Sequence, residues 1–216
     1  MERITVDAVR GCVATHAPIY SWRKPVYQSI ALGNLARLWD PAHRNALDVG
    51  GGTGLIAHTT KKLFGLDRVV SVDVNNRYRP SLDIDAVIYD GTRLPFRDAA
   101  FDCVLLFNVL HHVPIEFRPA LIRECRRIAG RGPLYIKDHL STGAIDDARL
   151  AILDALGNVP FGGMVSASYL SQSDWNRLAA ETSHREGACL SGRYRGAPLA
   201  ALFPNRLEIS MRWHPN

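Results

Sequence analysis

The segment ALDVGGGTGLIA, residues 46–57, constrains the fold more than any other stretch of the chain. It runs in the order apolar strand, acidic residue, glycine turn, helix. Gly50, Gly52 and Gly54 stand at alternate positions, which lets the chain turn sharply out of a strand and lets a ligand lie against bare backbone at a helix N-terminus. The rest of the sequence fits such a turn. Short apolar runs bounded by turn residues recur at 45–50, 68–73, 85–90, 101–107 and 132–138, as buried parallel strands do. Helical spacing separates several of them, at Leu55 to Phe64 and at Pro119 to Ile128, where Leu121, Ile122, Cys125 and Ile128 fall on one side. Alternating strand and helix implies an α/β doubly wound sheet with right-handed crossovers. The gaps after the second and third runs are about ten residues each, which leaves room for one or two helical turns or none.

The flanks are also patterned. Pro25 opens a run in which Tyr27, Ile30, Ala31, Leu35 and Leu38 recur at three and four residues, an amphipathic helix with proline at its start. Another helix is expected over roughly 146–156, running into Gly157, Pro160, Gly162 and Gly163; that exit suits a helix stop or a lid hinge equally. SQSD opens a capped helix over 171–180, and two late runs, 187–194 and 207–214, are placed to close the sheet. The expected division is a helical N-terminal cap over 1–44 and one α/β domain over 45–216.

Composition narrows the class. A chain of 216 residues, 47% hydrophobic and 22% charged, is sized for one globular core. The +5 net charge comes mostly from arginine, scattered from Arg3 to Arg212, with its densest group at Arg123, Arg126, Arg127 and Arg131 on one helix face. A nucleic-acid footprint needs a clustered stripe, so a solvated surface is the favoured reading. Cys12, Cys103, Cys125 and Cys189 form no CxxC pair and read as reduced core residues. No run approaches the roughly 20 apolar residues of a membrane span, and MERITVDAVR lacks a signal peptide's apolar stretch. A cytoplasmic location is expected.

What the glycine loop can hold follows from its spacing. A nicotinamide dinucleotide fingerprint, GxGxxG, would put its third glycine at Leu55. GxGxG stands there instead, and no GxxxxGK(S/T) phosphate loop occurs. Asp48, two residues before the first glycine, suits a ligand bearing an ammonium group and opposes a pyrophosphate. The chemistry favours a cationic, nucleoside-bearing cofactor.

DVGGGTG followed by VVSVDV and then YDGTRLPFRDAAFDCVLLFNVLHHV resembles the class I S-adenosylmethionine-dependent methyltransferases, particularly the branch containing the ubiquinone and menaquinone biosynthesis enzymes. The match covers about residues 45–140. It implies a Rossmann-like seven-stranded sheet whose last strand runs antiparallel, and S-adenosyl-L-methionine as cofactor. On that resemblance Asp48, Gly50, Gly51, Gly52, Thr53 and Gly54 hold the methionine part. Asp73, with its neighbour Val74, accepts hydrogen bonds from both ribose hydroxyls; Asp90 and Gly91 meet the adenine; Asn108 lies near the transferred methyl or the cofactor amine. Three acidic residues at three successive strand ends lie on the edge where open sheets bind ligands.

A sulfonium methyl is already activated, so the protein's tasks are alignment, exclusion of water and, for an oxygen acceptor, removal of a proton. His139 is the first candidate base, then His112 and His111, all following the fourth or fifth run. Asp138, His139, His111 and His112 also raise the question of magnesium, as in catechol-type enzymes, but magnesium prefers an all-oxygen set, and no metal is expected. The D/N/S-P-P-aromatic motif of amino-methylating DNA enzymes is absent from NVLHHV, and no cysteine is placed for pyrimidine methylation, which weighs against nucleic acid. A small organic acceptor is expected, methylated on oxygen rather than carbon or nitrogen, in a pocket drawn from Tyr20, Trp22, Tyr27, Phe161, Met164 and Tyr169. The alternatives are a non-catalytic cofactor-binding subunit of a larger assembly and a nucleic-acid methyltransferase. LDALGNVPFGG and YLSQSDW resemble a subgroup of small bacterial methyltransferases without naming a substrate.

Overall fold

In the computed structural model, which describes residues 3–18, 25–164 and 166–216, the apolar runs at Asn45–Val49, Arg68–Asp73, Cys103–Phe107 and Leu134–His139 become strands buried on both faces, whereas Asp85–Ile88, expected to be buried as well, is mostly exposed because it forms an edge of the sheet. The strands are β1 (Asn45–Val49), β2 (Arg68–Asp73), β3 (Asp85–Ile88), β4 (Cys103–Phe107), β5 (Leu134–His139), β6 (His184–Leu190) and β7 (Glu208–Pro215). They form one seven-stranded sheet in the order β3-β2-β1-β4-β5-β7-β6. β1 to β5 pair in parallel, and β7 runs antiparallel to both β5 and β6. The strand order reverses between β1 and β4, and the crevice outside their C-terminal ends is where open α/β sheets take ligands.

Helices cover both faces. α1 (Val6–Val13) begins at Thr5, whose hydroxyl accepts from the Ala8 amide at 3.1 Å, and it packs with α2 (Pro25–Leu38) and α3 (Leu55–Phe64). On that face Leu32, Leu35, Leu38 and Trp39 meet Ala46, Val69, Cys103, Leu105 and Tyr135 in one buried cluster. The opposite face carries α4 (Arg118–Ala129) and α6 (Gln172–Glu181), whose Ile122, Cys125 and Trp175 join Leu47, Val72, Leu106, Ile136 and Trp213. Trp175 and Trp213 are both fully buried and meet edge to face at 6.0 Å. α5 (Ala144–Asn158) follows β5, and the short α7 (Leu199–Leu202) precedes β7. α6 carries a full capping box: Ser171 accepts from the Asp174 amide while Asp174 accepts from the Ser171 amide. Among the described residues no helix separates β2 from β3 or β3 from β4, in line with the short gaps.

Several expectations need correction. Cys103 and Cys125 are buried, but Cys12 is only half-buried and Cys189 is exposed, because β6 is an edge strand that shows most of its residues to solvent. α2 is not a clean amphipath: Leu32 is fully buried, and Gln28, Ser29 and Asn34 are buried too. Asn34 reaches Tyr194 at 3.4 Å, and Gly192 comes so close to Ile30 that a Cβ there would lie 2.5 Å away. The helix is thus covered on its outer side as well. β6 begins three residues earlier than the apolar run, in the charged stretch His184–Glu186, where pairing with β7 sets the boundary.

Candidate active site

The glycine loop leaves β1 with its own geometry. Gly50, Gly52 and Gly54 have φ of +74°, +57° and +77°, the left-handed region that side chains disfavour. Gly51 fails for a different reason: a Cβ there would stand 1.8 Å from Ser71 Oγ and 2.7 Å from Asp48 Oδ2. Gly50 and Gly54 are also pressed, by Val109 and by Tyr78, Leu82 and Ile84. Gly52 is the open one, with the Arg77 guanidinium 3.9 Å from where a Cβ would be. A ligand approaching the loop would therefore meet backbone at Gly52. α3 starts directly afterwards with Gly54 as its N-cap and no side chain capping it, so first-turn amides are available to an anion.

Asp48 and Asp73 flank this opening. Asp48 is fully buried and its Oδ2 accepts from Ser71 Oγ at 2.7 Å. Burial raises its pKa to about 6, against the hydrogen bond from Ser71, with the nearby Asp73 pushing the same way as burial. Asp73 ends β2; its Oδ2 accepts from the Gly52 amide at 2.7 Å and its Oδ1 from the Asn75 amide at 2.8 Å. Each oxygen keeps a second lone pair for a ligand hydroxyl. Val74 is exposed beside it. Asp90 lies two residues beyond β3, exposed, with Oδ1 turned to the Thr92 amide at 2.9 Å, and Gly91 follows with φ of +81°. Arg77 ties this edge to the segment after α5 by donating to the Gly162 carbonyl at 3.1 Å.

Asn108 goes elsewhere. It sits just past β4 at φ +55°, and its Oδ1 accepts from Lys137 Nζ at 2.6 Å. Lys137, 2% exposed at the side chain, also bonds Tyr27 and pairs with Glu208 Oε2 at 2.6 Å, while Arg195 pairs with Glu208 Oε1 at 2.5 Å. Burial opposes ionisation of Glu208, but Lys137 and His139 outweigh it and hold the carboxyl well below its usual range. This cluster lies on the α2 face of the sheet.

The three histidines meet on the other side of β5. Ring centroids of His111 and His112 are 4.0 Å apart, and those of His111 and His139 are 4.7 Å apart, with Tyr169 stacked on His111 at 5.6 Å. His111 Nδ1 lies 2.5 Å from Asp138 Oδ1, and Asp138 also accepts from the Leu110 and His139 amides at 3.0 and 2.8 Å. Burial alone would depress His111, yet Asp138 and Asp154 raise it to about 9. Burial and the neighbouring His111 depress His112, whose Nδ1 faces the Ser166 carbonyl at 2.9 Å. His139 Nδ1 stands 3.2 Å from Glu208 Oε2, so this ring links the two charged clusters.

The structure thus joins His111, His112 and His139, and it holds the Asn108 side chain on Lys137 while its neighbour Val109 packs against Gly50. It gives Asp138, already grouped with the histidines, its role as the partner of His111, and it adds residues that sequence patterning passes over: Asp154 on α5 and the Lys137–Glu208 pair. The adjacent Lys137-Asp138-His139 is the one local signal for them, three consecutive ionisable residues inside a buried strand. Of the expected pocket, Tyr20, Trp22 and the side chain of Phe161 lie outside the described residues; Tyr27 joins Lys137, Met164 is exposed, and Tyr169 lies on His111.

Residues 47–136 match a family model described as a methyltransferase domain. That match spans 90 of the 216 residues, from within β1 to within β5. No curated protein matches the sequence significantly. Solved structures that share the fold include a Haloferax volcanii protein in complex with the Trm112 methyltransferase activator, 15% identical, covering 96% of this chain and 98% of that one, with a TM-score of 0.67. The PH0226 protein of Pyrococcus horikoshii OT3 is 16% identical over 94% and 96%, at 0.64. Magnesium protoporphyrin IX methyltransferase from Synechocystis PCC 6803, solved with bound SAH, is 15% identical over 89% and 83%, at 0.59. At these identities the likeness establishes the fold, the Rossmann-like methyltransferase sheet with its last strand antiparallel. S-adenosylmethionine is the cofactor that a match to this family model indicates. Its cationic, nucleoside-bearing chemistry fits a loop with open backbone at Gly52, a buried acid at Asp48 and a strand-end acid at Asp73. Among the described residues no helix is long and apolar enough to cross a membrane.

Proposed function

We propose that the chain transfers a methyl group from S-adenosylmethionine to an oxygen of a small organic acceptor. The observation that carries this reading is the open space over the Gly52 backbone between Asp48 and Asp73, at the switch between β1 and β4, within the segment that matches the methyltransferase family model. The bound cofactor supplies an activated methyl on a sulfonium. Asp48 would balance its ammonium group, the first-turn amides of α3 would take its carboxylate, Asp73 with Val74 would hold the ribose, and Asp90 with Gly91 would border the adenine. Gly50, Gly51, Thr53 and Gly54 shape the turn. The acceptor side would be built from the N-terminal helices, with Tyr27, and the 141–170 segment. Of the histidines, His139 remains the preferred base: His111 is held between two carboxylates, and both His112 nitrogens already face Ser166 and Asn158.

Small acceptors are favoured over nucleic acid because three arginines of the densest group, all but Arg131, are engaged within the chain. Arg123 pairs with Glu181, Arg126 donates to the Thr182 and Ser183 carbonyls, and Arg127 pairs with Glu124 and Asp98. The test is mass spectrometry of a bacterial extract incubated with protein and deuterated-methyl cofactor. A labelled small molecule is the expected product; label confined to RNA or DNA would overturn the acceptor class.

A second reading, a cofactor-binding subunit that needs a protein partner, is favoured by the likeness to the Haloferax protein solved with Trm112 and by an apolar stripe on and after α5, where Ile145, Ile152, Leu156 and Val159 are exposed. Label in no molecule, together with copurification of a fixed partner, would support it.

A further inference from the structure

We infer that His111, His112 and Asp154 form a site for one divalent transition-metal ion, of the two-histidine, one-carboxylate type. His111 and His112 come from a helical turn, Leu110–His112, that follows β4, while Asp154 descends from α5. Nε2 of His111 lies 3.5 Å from Asp154 Oδ1, and Nε2 of His112 lies 3.5 Å from Asp154 Oδ2. One ligand atom from each residue falls within 4.8 Å of the others. Ligands at bonds of about 2.0–2.2 Å on a tetrahedral ion stand roughly 3.3–3.6 Å apart. The spacings to Asp154 suit atoms that share an ion better than a hydrogen bond.

The polar accounting points the same way. His111 Nε2 and Asp154 Oδ2 are buried and have no hydrogen-bond partner among the described residues. Their side chains are 0% and 7% exposed, so water does not obviously satisfy them. Meanwhile the far nitrogen of each imidazole is engaged. His111 Nδ1 donates to Asp138, and His112 Nδ1 donates to the Ser166 carbonyl, which leaves both Nε2 atoms as acceptors on the Asp154 side; the long 3.3 Å contact of Asn158 Nδ2 to His112 Nε2 is the one that an ion would displace. A carboxylate or carbonyl fixing the outer nitrogen is what holds a metal-bound histidine in the required tautomer. The charge also closes: two neutral imidazoles with the Asp138 and Asp154 carboxylates balance a dication.

Two nitrogens and one carboxylate select zinc, iron or a neighbouring first-row ion over magnesium, which wants oxygen throughout. Three protein ligands leave at least one coordination position open. The metal site does not rest on the methyl-transfer reading; the use of its open position for the acceptor's oxygen does.

The probes are zinc and cobalt ions, added to metal-stripped full-length protein. One equivalent of Zn²⁺ is expected to bind in calorimetry, and Co²⁺ to give visible d–d absorption bands of nitrogen and oxygen ligation. Asp154→Asn and His112→Gln are each expected to weaken Zn²⁺ at least about 100-fold, and Asp138→Asn about 10- to 100-fold. His184→Gln, away from the site, keeps full affinity. If Asp154→Asn fails to fold, the Co²⁺ bands of His112→Gln decide. No heat and no cobalt spectrum, or affinity unchanged in Asp154→Asn and His112→Gln, would overturn the site and leave His111 as an imidazolium held between two aspartates. SAH titration of the metal-stripped protein reports separately on the cofactor edge, so loss of one does not imply loss of the other.

Discussion

The two sides of the switch between β1 and β4 are built from different materials. On the β1–β2 side, the proposed cofactor edge is a matter of backbone: left-handed glycines, an uncapped helix start, and aspartates at strand ends, all within residues 48–91. On the β4–β5 side it is a matter of buried side chains: Tyr27, Asn108, His111, Lys137, Asp138, His139, Asp154, Arg195 and Glu208, brought together from six regions of the chain. A backbone site tolerates nothing larger than hydrogen at one or two positions, and its few charges act singly. A side-chain site made of buried ions stands only while every partner is present, since an ion left alone in the interior loses its solvation without compensation.

That contrast sets the size of the expected effects. The largest belongs to Glu208→Ala, which strands Lys137 and Arg195; a loss of about 3–5 kcal/mol of stability is expected from urea unfolding. A variant with an unchanged midpoint would mean that the cluster is not closed as the structure draws it. Next comes Gly51→Ala on the backbone side, where the new Cβ would collide with Ser71 Oγ and displace the loop. Binding of SAH is expected to fall about 100-fold, the scale associated with ångström misplacement.

Asp73→Ala is milder. It removes a charged acceptor from the proposed ribose contact, and SAH affinity is expected to drop about 10- to 100-fold by calorimetry. The smallest effect is a pH dependence. Asp48 has a pKa of about 6 in the free protein, and a bound ammonium group would favour its carboxylate, so the pKa falls on binding. SAH affinity is then level above pH 6 and declines below it, by up to about tenfold per pH unit. Asp48→Asn should flatten this profile between pH 5 and 7. In the free protein the same raised pKa means that any stability Asp48 contributes is present below its unfolded value near 3.8 and is lost as pH rises through 6.

The same contrast explains what the sequence could disclose. ALDVGGGTGLIA specifies a strand, turn and helix locally, because φ and close approach are properties of neighbouring residues. Asp73 and Asp90 were legible for a related reason: each ends or follows a short apolar run, so the sheet edge is implied with it. The antiparallel last strand came through family resemblance, since nothing in residues 207–214 distinguishes its direction. The partners of Asn108 were not legible, because Lys137 and Tyr27, which its side chain meets, lie 29 and 81 residues away. Asp154 was invisible as a functional group: on a helix of ordinary composition, 42 to 43 residues beyond the histidines, only the tertiary fold brings it to them. Cys189 reads as apolar by type, but its exposure follows from the edge position of β6, which no local pattern encodes.

The central claim, that the glycine edge is a cofactor site in its own right, is tested most directly by calorimetric titration of SAH into the wild-type protein at pH 7.5. The account predicts one site per chain with micromolar affinity and a matching rise in melting temperature. Absence of both heat and thermal shift would contradict it.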